Sequence, residues 1–216
     1  MRPVIFHNRE HAGELLAEML ESFHKSPDTV VIGLPRGGVV TAFAVAKALK
    51  LPLDIVCPRK VGAPGNPEYA IGAVTESGET ILNERVITAM GVNKELLHKI
   101  IEYERDVARA RLELYRKGLP AQELKNKEVI IVDDGMATGH TMKAAIKSVR
   151  AQKPKRVIVA IPVTPQDTAK EISPTVDELF YYQAPAFFAA VGQFYEEFLP
   201  TTDEEVIYCL QQHSTH

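Results

Sequence analysis

Residues 129–141 read VIIVDDGMATGHT, and this stretch decides the fold. Its first four residues are apolar and mostly β-branched, the composition of a buried strand. Two adjacent carboxylates, Asp133 and Asp134, stand where that strand ends. Thr138, Gly139 and Thr141 follow in a short loop, after which Met142, Ala145, Ile146 and Val149 recur at the spacing of one helix face. A strand feeding a helix through such a loop turns the helix's first N–H groups and positive dipole end toward an anion. Gly139 lets the backbone approach it, and the threonine hydroxyls add donors. The order builds a socket for a phosphorylated sugar. Two carboxylates would repel the phosphate itself, so they face something else; sugar hydroxyls and a divalent cation suit them.

Outward from this stretch the chain alternates strands and helices. Residues 29–34, TVVIGL, read as a buried strand that runs through Pro35, Arg36, Gly37 and Gly38 into a helix over 39–50 carrying Val40, Phe43, Ala44 and Leu49. Residues 53–57 form a second strand that Pro58 stops, and 156–161 another after the fingerprint helix, which ends near 152. Residues 59–68, RKVGAPGNPE, have the Gly, Pro and Asn content of a loop, placed as a lid beside the phosphate socket; 70–75 and 80–82 read as short strands with Ser77-Gly78 turning between them. Asn8 caps a first helix with Ala12, Leu15, Leu16, Met19 and Phe23 on its apolar face. Asn93 opens the longest helix, with Leu96, Ile100, Tyr103, Val107, Ala110 and Leu114 at helical spacing; Gly118 and Pro120 end it, and the mixed charges on its other faces read as a solvated surface. Residues 177–216 leave this rhythm and are rich in aromatics: Phe180, Tyr181, Tyr182, Phe187, Phe188, Phe194, Tyr195 and Phe198, with Thr201 and Glu204 as a capping box for a last short helix. These aromatics suit a core, a dimer contact or a planar base. Strands alternating with helices argue for an α/β fold with a parallel sheet covered on both faces.

At 216 residues, 45% hydrophobic and 25% charged, the chain has the size and composition of one globular α/β domain with additions. A net charge of −3 gives no general pull toward nucleic acid or an anionic membrane. No signal peptide or membrane-spanning run appears, and a cytoplasmic protein is the expectation. Cys57 and Cys209 match no metal or redox spacing; His7 and His11, four residues apart, lack a third ligand and read as surface side chains. His140 lies inside the phosphate loop, and His213 and His216 belong to a polar tail. A Walker A loop is excluded, because neither Gly-rich turn ends in Gly-Lys-Ser/Thr, and no Gly-x-Gly-x-x-Gly dinucleotide fingerprint is present.

Residues 129–141 resemble the 5-phosphoribosyl 1-pyrophosphate (PRPP) fingerprint of type I phosphoribosyltransferases, a hydrophobic strand followed by two acids and a Thr-Gly-x-Thr loop, and every position of it is filled. The resemblance implies that Asp133 and Asp134 meet the ribose 2′- and 3′-hydroxyls and serve Mg²⁺, directly or through PRPP. It gives the 5′-phosphate to the loop of Gly135, Met136, Ala137, Thr138, Gly139, His140 and Thr141. The turn at 33–38, GLPRGG, is similar to the loop that receives the pyrophosphate, which assigns Arg36, Gly37 and Gly38 to that group. Arg59 and Lys60 resemble the Arg-Lys segment of adenine-using members, which implies that both bind PRPP and neutralise the departing pyrophosphate, Lys60 joining Asp133 and Asp134 as a catalytic residue. Glu68, at the end of the same segment beside Tyr69, is a candidate for contact with base or ribose. The implied architecture is a parallel sheet wrapped by helices, one domain over 1–216 with a core at 29–163 and a small hood from the N-terminal segment and 177–216. The implied partners are PRPP and a nucleobase-like acceptor, with Mg²⁺ as cofactor, no nucleic acid and no membrane, in a homodimer. A regulator that binds PRPP or a nucleotide on the same fold without turnover is the alternative.

Overall fold

Among the described residues, eight strands and seven α-helices follow one another in the order α1 (Arg9–Met19), β1 (Thr29–Gly33), α2 (Gly37–Leu49), β2 (Leu53–Ile55), β3 (Arg59–Ala63), β4 (Asn66–Val74), β5 (Thr80–Leu82), α3 (Glu84–Ala89), α4 (Lys94–Arg116), β6 (Glu128–Val132), α5 (His140–Ala151), β7 (Arg156–Val163), α6 (Gln166–Ile172), β8 (Glu178–Gln183) and α7 (Asp203–His213). This computed structural model describes residues 4–213; His216 and the side chain of Glu68 lie outside what it describes.

Five strands form an all-parallel sheet in the order β2-β1-β6-β7-β8. The alternation of side chains divides its two faces cleanly. Val31, Ile55, Ile130, Val132 and Ile158 pack on one side with Leu16 of α1, Val45 and Leu49 of α2 and Leu210 of α7. Val30, Ile32, Val129, Ile131 and Val157 pack on the other with Met142, Ile146 and Val149 of α5 and Ile172 of α6. Covering on both faces is why β1, β6 and β7 read as unbroken apolar runs. The expected α/β architecture, a parallel sheet wrapped by helices, is the one observed. No helix among the described residues is long and apolar enough to cross a membrane.

Helices α1 and α2 lie unusually close. A Cβ added at Gly13 would stand 2.5 Å from the Thr41 carbonyl oxygen and 2.7 Å from the Ala44 Cβ, so only glycine permits this contact. Asn8 caps α1 through its side chain, which accepts from the His11 amide, and Asn93 caps α4 in the same way.

The structure corrects several readings. Residues 59–68 are not a loop: β3 and β4 form an antiparallel hairpin, joined by β5 in a separate three-stranded sheet. The Pro and Gly belong to its turn, where Ala63 pairs with Asn66 around Pro64 and Gly65, and Gly65 takes the positive φ of 79° that a type II turn needs. The register shifts at Gly62, where a Cβ would meet the Pro67 carbonyl oxygen at 2.5 Å, account for the rest of the loop-like composition. On α4 the buried positions are Leu97, Ala108 and Tyr115, one step round the helix from the expected face; Leu96, Tyr103 and Leu114 are exposed. Two apolar stripes run along this helix; the small sheet covers Leu97 near its start, and the main core takes Ala108 and Tyr115. Met19 is likewise exposed. The capping box of α7 is formed by Thr202 and Glu205, each accepting the other's amide, rather than by Thr201 and Glu204. Thr-x-x-Glu occurs at both offsets, and Thr201 is buried. Residues 178–183, expected in the hood, are β8, the edge strand of the main sheet, and α7 packs on the main core. What stands over the sheet's end is a smaller cluster of Phe6, Ala12, Val163, Phe194 and Tyr195, with Phe188, Val191 and Phe198 against it.

Candidate active site

In parallel sheets the C-terminal strand ends collect the loops that carry chemistry. Here β1 and β6 are neighbours, with Gly33 opposite Val132, so GLPRGG and the acid pair leave the sheet side by side. The two loops touch. A Cβ at Gly38 would lie 2.5 Å from Asp133 Oδ1, and one at Gly37 would lie 2.1 Å from Asp134 Oδ2. The glycines assigned to pyrophosphate therefore also make room for the carboxylates. The Pro35–Arg36 peptide bond in this loop is cis. Arg36 is exposed, with Nη1 3.7 Å from Asp203 Oδ1 on α7.

Asp133 accepts the Asp134 amide on Oδ1 at 2.9 Å. Burial first, and the neighbouring Asp134 carboxylate second, push the Asp133 carboxyl well above its ordinary value, against the pull of the Asp134 amide and the Arg9 charge. Asp134 Oδ2 accepts from Arg9 Nε at 2.7 Å, and the Asp134 carbonyl accepts from the Tyr195 hydroxyl. Burial, then the Asp134 charge, raise the Tyr195 phenol far above its usual range, so it serves as a donor. Arg9 and Tyr195 were not identified from the sequence. Arg9 sits in no motif, and Tyr195 was one aromatic among eight.

In the loop, Ala137 and Thr138 are exposed, as is Thr141 in the first turn of α5, while Gly139 at φ 72° stands immediately before the helix. Thr168 of α6 donates to the Ala137 carbonyl at 2.7 Å and steadies the turn. His140 Nδ1 lies 2.9 Å from the Thr138 hydroxyl, and burial, reinforced by the Lys143 charge, lowers the imidazole's pKa, favouring its neutral form. Two assigned residues have a different setting. Met136 is buried in the core and its amide donates to the Val163 carbonyl; Gly135 lies under Val191. A cavity of about 600 Å³ opens over the loop, lined by Thr138, His140, Lys143, Asn83 and Arg85 among others. A larger one, about 830 Å³, lies at the opposite end of the sheet, between Lys50, Leu53, Arg116 and Leu210. Its basic residues stand at the C-terminal ends of α2 and α4, where they offset the helix dipoles.

Lys60 and Arg59 lie on β3, outside the two loops. Arg59 is drawn to α4, with Nε and Nη2 each 2.8 Å from Glu104 Oε2, and Val61 is buried on the same side. Alternation along the strand turns Lys60 the other way, and it is exposed. The aromatics of 177–216 divide: Phe194 and Tyr195 are buried with Phe6, Phe180 packs on the main core, and Phe187 is 90% exposed.

Among the described residues no three His, Cys, Asp or Glu side chains come together to hold a metal. The acid pair fits a Mg²⁺ that keeps its waters and is held chiefly by substrate phosphates, not a closed cage of protein oxygens.

The comparisons with known proteins agree with this geometry. A model of the phosphoribosyl transferase domain matches residues 5–198. A Mycobacterium tuberculosis H37Rv protein provisionally named a phosphoribosyl transferase is 38% identical over 203 residues, which is 94% of this chain and 46% of that protein. The chain thus spans about half the length of the curated relatives it matches. Protein TT1426 from Thermus thermophilus, solved by crystallography, is 42% identical with a TM-score of 0.81, covering 97% of this chain and 99% of that one.

Proposed function

This chain belongs to the phosphoribosyl transferase domain family, and from that premise we propose that it transfers the 5-phosphoribosyl group between PRPP and a nitrogenous base, with pyrophosphate as the other product. The observation that carries the reading is the contact of the two loops: an acid pair suited to ribose hydroxyls lies against a turn suited to pyrophosphate, and the same strand runs on to a phosphate loop.

The roles follow from charge. As the bond from C1 to the pyrophosphate oxygen breaks, the ribose ring gains positive character and the leaving group gains negative charge. Asp133 and Asp134 hold the sugar and lie on its developing positive charge. The amides at the start of α5, with Thr138 and Thr141, take the 5′-phosphate. The backbone at Gly37 and Gly38, Arg36 and Lys60 receive the pyrophosphate. Mg²⁺, when bound, neutralises diphosphate charge. No side chain is required as a covalent nucleophile. Exposed Phe187 is the aromatic we place nearest the acceptor. The exposed stripe of Leu96, Tyr103 and Leu114 supports a homodimer, which sedimentation measures.

Incubation with PRPP, Mg²⁺ and a panel of bases, with pyrophosphate release as readout, tests the reading; release should require one base and Mg²⁺. Heat of PRPP binding without turnover on any base would favour the second reading, a PRPP- or nucleotide-binding regulator. No binding of PRPP, ribose 5-phosphate or a nucleoside monophosphate would defeat both.

A further inference from the structure

The roles above leave Arg9 unexplained. Its guanidinium makes three contacts: Nε donates to Asp134 Oδ2 at 2.7 Å, Nη1 donates to the Leu199 carbonyl at 2.7 Å, and the group lies 3.9 Å from the centre of the Phe198 ring. The side chains of Arg9 and Asp134 are only 13% and 15% exposed. A Cβ at residue 37 would approach Arg9 Nε to 2.6 Å, so the same glycine that admits Asp134 admits its partner. Three separated segments, α1, the pyrophosphate turn and residues 198–199, thus close on one carboxylate.

The contact decides which oxygens face a ligand. Asp133 Oδ1 is taken by the Asp134 amide and Asp134 Oδ2 by Arg9, which leaves one oxygen on each carboxyl without an N–H donor among the described residues. The two remaining oxygens, carried by consecutive residues, match two vicinal hydroxyls. They match a bare divalent cation poorly, because a fixed guanidinium charge bonded to the same carboxylate repels it across a few ångströms of partly buried space. Resting on the phosphoribosyl reading, we propose that Arg9 is a positioning residue: it shapes the acid pair into an acceptor for the ribose diol and keeps free divalent metal off it, so that metal enters the site only on the diphosphate. A lysine would keep the charge but lose the planar fork that bonds Asp134 and Leu199 while stacking on Phe198.

The test uses Arg9→Met and Arg9→Lys, with circular dichroism and melting to establish folding, and reads binding rather than turnover. For Arg9→Met, calorimetry without metal should show ribose 5-phosphate affinity falling about tenfold, the loss of one charge-assisted contact, while affinity for inorganic phosphate stays unchanged. Electron paramagnetic resonance with Mn²⁺ alone should show binding at least about tenfold tighter than in the parent protein. Arg9→Lys should exclude Mn²⁺ yet still lose diol affinity. In an Asp134→Asn background Arg9→Met should cost ribose 5-phosphate nothing further, since its effect passes through that carboxylate. Folded Arg9→Met with parental affinity for both probes, or an equal loss in the Asp134→Asn background, overturns the inference. Should Arg9→Met fail to fold, unchanged ribose 5-phosphate affinity in Arg9→Lys overturns it. A parent protein that binds neither ribose 5-phosphate nor PRPP removes the phosphoribosyl reading and this inference with it, whereas a binding parent with indifferent variants removes only the role of Arg9.

Discussion

The two sheets of this molecule are built on different terms. The five-stranded sheet is parallel and covered on both faces, so its inner strands have little choice but Val, Ile and Ala; β6 and β7 are buried at every position except their first. The three-stranded sheet is antiparallel, with Val61, Ala63, Ile71 and Val74 against α4 and glycines at its bulges. Burial on two faces writes a strand into the sequence as a continuous apolar run. In β3 buried and partly exposed residues alternate and a bulge interrupts the pairing, which leaves a pattern that resembles a loop, whereas residues 71–74 of β4 are buried at every position and read as a strand. The same contrast holds for chemistry: the large sheet fixes its acid pair at a strand end among packed loops, while the small sheet carries Lys60 exposed on its edge strand β3.

Four measurements press on that contrast, the largest expected effect first. Ile131 and Ile71 are both fully buried, one in each sheet. Ile131→Ala should cost about 2–5 kcal/mol of global stability. Ile71→Ala should instead open the small sheet locally, with amide exchange rising across β3 to β5 while the parallel sheet stays protected. Uniform exchange in both variants would mean that the two sheets unfold as one unit. Asp133→Asn should lower turnover about a hundredfold, roughly 2.7 kcal/mol of barrier, without loss of folding. Its pH signature is opposite to that of a salt-bridged carboxylate. Because the folded protein holds the Asp133 proton to higher pH than the unfolded chain, whose group titrates near 3.8, stability should fall as pH rises from that value through the folded pKa. Above that window the variant should be the more stable protein, and melting curves across pH decide it.

Gly38→Ala comes next, at about 1–3 kcal/mol, because its Cβ would meet the Asp133 Cα at 2.9 Å as well as Oδ1 at 2.5 Å, so backbone and carboxylate would both have to move. Turnover should fall along with stability. Normal activity in the folded variant would show that the two loops are not as tightly matched as their distances imply. The smallest effect belongs to the exposed lysine. Lys60→Ala should lower the single-turnover rate about tenfold and weaken PRPP binding less, provided its contact strengthens only as pyrophosphate departs. Equal losses in rate and binding would make Lys60 an anchor, and the small sheet a fixed wall rather than a participant.

What the sequence disclosed follows the same division. Continuous runs gave β1, β6 and β7 to within two residues, and α5 starts and ends where its apolar period and the loop before it predict. Asn8 and Asn93 marked their helices because a side-chain cap is local chemistry. The strands expected at 70–75 and 80–82 are present, in β4 and β5, but β3 with the hairpin turn, the edge strand β8 and the face of α4 were misread, since each depends on which neighbour covers it, and neighbours are not local. Leu96 and Leu97 are equally apolar; only the position of the small sheet distinguishes them. The fingerprint disclosed the acid pair and phosphate loop, but Arg9 is separated from Asp134 by 125 residues and carries no spacing that could have pointed to it.

The closeness of α1 and α2 at Gly13 bears on motion. At Gly13 no side chain of α1 separates the two helices, so they resist sliding or tilting independently about that point. Arg9 begins one of these helices and Gly37 the other, so the cation and the turn move as one body, like two teeth of a single comb. Thermal fluctuation that displaces one displaces both, and their distance to Asp134 varies together. The stiffness of the acid pair is then set several residues away, by the missing methyl group of Gly13.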